Sequence, residues 1–100
     1  GSLDIELVVG RALDVLKQED RLFDMIIDDL GAAGVQKPDW IPNPGYEMAS
    51  RCLEDGGILV SRTRPDDEKS STIVTYLQAH FQSLLHIRLE DRDTCVHVAR

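Results

Sequence analysis

The sequence predicts an α/β domain built on a mainly parallel sheet that ends in an antiparallel hairpin. Three observations carry that prediction. Strand-like and helix-like stretches alternate along the chain, which places successive strands parallel through right-handed crossovers. The centre of one strand, Met25–Ile27, is continuously apolar, as expected where both faces are covered. Near the end, "LLHIRLE" and "TCVHVAR" both alternate and are joined by the short polar link "DRD", the pattern of a hairpin.

The elements follow in order. Leu3–Val9 ("LDIELVV") alternates and then turns continuously apolar, so it reads as a first strand ending at Gly10. In "RALDVLKQED", Ala12, Leu13 and Leu16 recur at helical spacing, and the helix closes in polar residues near Asp20. Phe23–Asp29 is the second strand. Leu30–Ile41 is a loop containing Gly31, Gly34, Pro38 and the only tryptophan, Trp40. Asn43–Pro44 opens the next helix, with the asparagine as cap and the proline in the first turn, where no amide partner is needed. Tyr46, Ala49, Cys52 and Leu53 form its apolar stripe, and Gly56–Gly57 is the expected stop. Ile58–Ser61 begins the third strand. A third helix, capped by Ser70 or Asp66, carries Ile73, Val74, Leu77, Phe81 and Leu84 on one face.

Composition narrows the classes. One hundred residues suit one domain and one core. A net charge of −7 disfavours phosphate backbones and anionic membranes, so neither a nucleic acid nor a membrane is expected as partner. No apolar run reaches the roughly 18 residues of a membrane helix, and no signal peptide is visible. The expected setting is intracellular, cytoplasmic. Cys52 and Cys95 form no CxxC pair and read as buried, reduced thiols. Gly1–Ser2 reads as an expression-tag scar, leaving 3–100 as a single domain. Strand-like sequence at once after it suggests a piece of a longer protein.

Three segments together resemble the C-terminal half of a class I S-adenosylmethionine-dependent methyltransferase of the spermidine-synthase-like kind. "VVGRALDVL" (Val8–Leu16) resembles the strand-to-helix segment "hydrophobic-Gly-Asp-Ala…Leu". "FDMIIDDL" (Phe23–Leu30) resembles the strand "YDVIIVDS". "LEDGGILVSR" (Leu53–Arg62) resembles "L-x-x-G-G-hydrophobic". The resemblance implies a Rossmann-like three-layer sandwich. With the N-terminal cofactor-binding half missing, it implies a five-strand sheet of order 1-2-3-5-4, the hairpin's last strand beside Ile58–Thr63, and three helices. It implies no cofactor for this chain. S-adenosylmethionine or its decarboxylated form enters only if a longer parent supplies the missing half. Arg11 stands where the family usually has an aspartate near the adenine.

By the same resemblance, Asp29 matches an aspartate that acts as general base toward an amine, which makes it the one candidate catalytic residue. Asp28 stands where the family has valine. Adjacent strand residues face opposite sides, so the two carboxylates diverge rather than form a pair. The plainer reading is that both are solvated strand-end residues. Asp28→Val is then expected to leave stability unchanged or raise it.

Other patterns are weaker. "NPGY" (Asn43–Tyr46) is similar to the "NPPY" of amino-methylating enzymes but opens a helix a loop later, so a cap is the simpler reading. His80, His86 and His97 lack zinc spacing; His86 and His97 meet across the hairpin as a surface pair. Ser61, Ser70 and Ser71 lack a nucleophile elbow. Trp40 reads as packing. A receiver domain is the rival family, with Asp29 as phospho-acceptor, but its opening acidic pair and closing lysine are absent.

The functional expectation is a non-catalytic interaction or oligomerisation module working through an open sheet edge, with a protein partner or a homodimer. Leu3–Val9 is the expected outer strand. The alternatives are a substrate-side fragment of a methyltransferase or aminopropyltransferase, and a receiver-like signalling module.

Overall fold

A computed structural model describes residues 6–31, 36–64, 67–90 and 93–100. The tag-like Gly1–Ser2, the opening of the expected first strand at 3–5, Gly34 in the loop, Asp66 as a cap and most of the "DRD" link lie outside the described residues. The element order is α1 (Ala12–Gln18), β1 (Phe23–Asp28), α2 (Gly45–Arg51), β2 (Leu53–Thr63), α3 (Ser70–His80), β3 (Leu84–Leu89) and β4 (Thr94–Ala99).

The sheet has four strands in the order β1-β2-β4-β3. Only β1 and β2 run parallel; β2–β4 and β4–β3 are antiparallel. This corrects the expected five-strand, mainly parallel sheet of order 1-2-3-5-4. Its expected first member is not formed over the described residues 6–9, where Leu7 and Val9 are 84% and 89% exposed. An apolar run becomes a strand only where a neighbour takes its amides and a layer covers its side chains. Residues 6–9 have neither.

Alternation divides the sheet into two faces. Ile26, Leu59, Ala99 and Leu84 form one cross-strand row by register, and the row is capped by Tyr46 and Ala49 of α2 and Ile73 and Leu77 of α3. α1 lies against α2, with Leu16 and Val15 beside Ile26. All helices therefore serve one face. The expected three-layer, Rossmann-like sandwich is instead two layers, because no crossover carries a helix to the other side.

Local signals were displaced in three places. α2 begins at Gly45 with Pro44 as its cap residue and no side-chain cap bond, so Asn43 does not cap it. α3 starts at Ser70 behind Lys69, again without a side-chain cap; the Asp67 carboxylate instead accepts the Lys69 amide at 2.9 Å. Gly56–Gly57 does not end a helix. It lies inside β2, where the β1–β2 register slips between Phe23 and Met25. Gly56 has φ +76°, a conformation glycine reaches without a Cβ clash.

Candidate functional site

The carboxyl end of the parallel pair is where the sequence placed its candidate, and the structure separates the two aspartates. Asp29 follows the last residue of β1 and points to solvent, and its carboxylate is paired with Arg62 at 2.6 Å. Asp28 is buried at 8% exposure. The reading of both as solvated strand-end residues therefore fails for Asp28. Its position faces the helix layer, and the loop after β1 folds back to cover it.

Asp28 is held by three donors. The Lys37 ammonium reaches Oδ2 at 3.0 Å, the Leu30 amide donates to Oδ1 at 2.9 Å, and the Tyr46 hydroxyl donates to Oδ2. Lys37 also donates to the Leu30 carbonyl at 2.8 Å. Ser61 shares the other side of the Tyr46 hydroxyl. Lys69, from the start of α3, donates to the Pro38 carbonyl at 2.6 Å and to the Ile41 carbonyl at 3.2 Å. Two lysines thus pin the loop down from opposite sides, one to the sheet and one to α3. Trp40 packs on the core, as expected of it. A Cβ on Gly45 would stand 2.7 Å from its ring and its carbonyl, so the turn into α2 closes only with glycine there.

Asp28 opens a polar row that crosses the whole sheet. Asp28 is in register with Ser61, Ser61 with His97, and His97 with His86. His97 is 3% exposed and bonds Thr63 through Nε2 at 2.8 Å; its Nδ1 lies 2.8 Å from His86 Nδ1, one ring donating to the other. The histidines do meet across the hairpin, but His97 is interior rather than at the surface. Burial, then His86 and Lys37, pushes the His97 imidazole below its ordinary pKa, so it is held neutral. Burial and the Asp28 charge push the Tyr46 phenol well up, so it stays protonated and able to donate. Every buried side-chain polar atom among the described residues has a partner. The buried groups of the row are thus internally satisfied, while His86 at its far end is exposed and Asp28 and Tyr46 also border a cleft.

Sequence reasoning missed Lys37, Tyr46, Thr63 and the interior role of Ser61 and His97. The only available signal was parity: Ser61 and Thr63 share the alternation of buried Leu59, and His97 that of Ala99.

Next to the row, a cleft of about 500 Å³ opens between α1 and the helix-facing side of β1. Val8, Ala12, Val15 and Leu16 form one wall and Ile26 with Trp40 the other, with Asp29 among the lining residues. Among the described residues β1 pairs only with β2, which leaves its other edge open. Arg11 stands at the N-cap position of α1 without a side-chain cap bond and is exposed. His80 stacks on Tyr76, 4.2 Å between ring centres. Cys52 is buried, Cys95 half-buried, and both are free thiols.

Among the described residues, no three His, Cys, Asp or Glu side chains converge as metal ligands, and no helix is long and apolar enough to cross a membrane. Compared with known proteins, the chain matches no family model, no curated protein and no solved structure. The methyltransferase-like, Rossmann-like, S-adenosylmethionine-type description is corrected by the sheet itself, which is four-stranded, mixed and covered on one face.

Proposed function

We propose that this chain is a non-catalytic interaction domain that takes up an extended segment of another protein along the open edge of β1. One observation carries the reading: an unpaired strand edge lies beside an apolar cleft. A strand edge offers unpaired amides and carbonyls, and an added strand satisfies them while alternate side chains enter a pocket. The open edge is that of β1; the described residues 6–9 form no strand. The net charge of −7 favours a segment whose remaining positions are lysine or arginine. Asp29 is occupied by Arg62, which supports a structural rather than a proton-abstracting role.

The test uses synthetic peptides of about eight residues that alternate apolar residues with lysine, a length typical of one strand. Binding is read by amide hydrogen exchange. Slowed exchange of the outward β1 amides, with β4 unchanged, is expected. The reading fails if no such peptide slows β1, or if those amides are already protected in the chain alone.

A further inference from the structure

The sheet face away from the helices is apolar and uncovered. Alternation sends Met25 and Ile27 of β1 and Leu85, Ile87 and Leu89 of β3 to this side. They are 49%, 65%, 58%, 41% and 37% exposed. Between them, Ile58 and Val60 of β2 and Val96 and Val98 of β4 are half-buried by their strand neighbours. Met25 is in register with Ile58, and Ile27, Val60, Val98 and Leu85 form an unbroken row across all four strands. Arg62 of β2 also faces this way, in register with Val96 and through it Ile87, and its guanidinium is paired with Asp29.

We propose that a second copy of this chain docks here, sheet against sheet, in a two-fold symmetric sandwich. Area is the first argument. At those exposures the five outer residues leave on the order of 500 Å² open, in the upper part of the roughly 300–600 Å² that the largest and often functional apolar patch of a monomer reaches. With the four half-buried residues between them, the face approaches the roughly 800 Å² that each partner gives to a standard interface. Charge is the second. The chain carries −7, yet the one carboxylate that alternation brings to this face among the described register positions, Asp29, is already paired with Arg62, so two copies meet without bringing unpaired carboxylates together. A basic partner would find no free carboxylate here to pair with. Geometry is the third. Two flat apolar sheet faces pack at about 10 Å with side chains interleaved, and a face that meets itself closes at two copies instead of growing. The dimer leaves the β1 edge free, so the inference stands apart from strand addition there.

Sedimentation equilibrium of the full chain between about 1 and 100 μM tests it, at concentrations bracketing a micromolar dissociation constant. A dimer is expected. The double variant Leu85→Lys, Ile87→Lys should weaken it at least 100-fold. Both positions are on β3, at the far side of the sheet from β1, so peptide uptake at the β1 edge should persist in that variant. If the variant does not fold, mixed labelled and unlabelled wild-type copies decide: nuclear Overhauser contacts between Leu85, Ile87 and Val98 methyl groups of different copies are expected. A monomer at 100 μM overturns the proposal. So does a dimer indifferent to the lysines, a dimer without those methyl contacts, or a monomer that instead binds neutral phosphatidylcholine vesicles through this face.

Discussion

Replacing Asp28 with valine strips one acceptor from three donors at once. The Lys37 side chain is 1% exposed and the Asp28 side chain 7%, so neither charge is screened by water when its partner leaves. Removing one member of a buried ion pair costs about 3–5 kcal/mol, because the remaining charge is left in a poorly polarisable interior. Two features soften the loss. Lys37 keeps the Leu30 carbonyl, and Tyr46 keeps Ser61. Valine also suits a strand, by up to about 1 kcal/mol. The expected net loss is about 3 kcal/mol, a large share of the roughly 5–15 kcal/mol that holds an ordinary domain together. This reverses the expectation that valine at 28 is harmless. Urea unfolding is the assay: at a slope near 1.5 kcal/mol per molar, the midpoint should fall by about 2 M. The pair Asp28→Val, Lys37→Met then removes both charges and should recover most of the loss, since an apolar pair of similar shape is close to neutral in a buried site. A single variant within 0.5 kcal/mol of the parent, or a double variant no better than the single, would refute the buried-pair account.

Three further outcomes are expected. The His97 imidazole is depressed in the folded chain, so below the ordinary histidine pKa of about 6.5 the unfolded chain binds the extra proton; stability should be full above about pH 6.5 and decline as pH falls from there toward the folded pKa, and His97→Gln should flatten that slope in urea melts. Gly45→Ala should cost about 1–3 kcal/mol, because its methyl would meet the Trp40 ring and carbonyl at 2.7 Å, and tryptophan fluorescence should report the displaced ring. Asp29→Asn should change stability by no more than about 0.5 kcal/mol, since its ion pair with Arg62 is solvent-exposed, and a chemical melt checks it.

What the sequence determined by itself was local. The three helices, the strand read over Phe23–Asp29, which ends at Asp28, and the closing hairpin are written in spacing and alternation, signals that need only a few neighbouring residues to read. The parity argument also parted Asp28 from Asp29 correctly, since adjacent strand positions cannot share a face. Tertiary structure decided the rest. Whether the apolar run at 6–9 becomes a strand depends on a neighbour, and none pairs with it. Whether Asp28 is wet or buried depends on a lysine nine residues away and a tyrosine eighteen away, brought over it by a loop whose path no short-range pattern encodes. The number of layers depends on which side of the sheet each helix takes. A continuously apolar strand such as Met25–Ile27 says that both faces want cover; only the packed chain shows that the helices supply it on one face and leave Met25 and Ile27 exposed on the other.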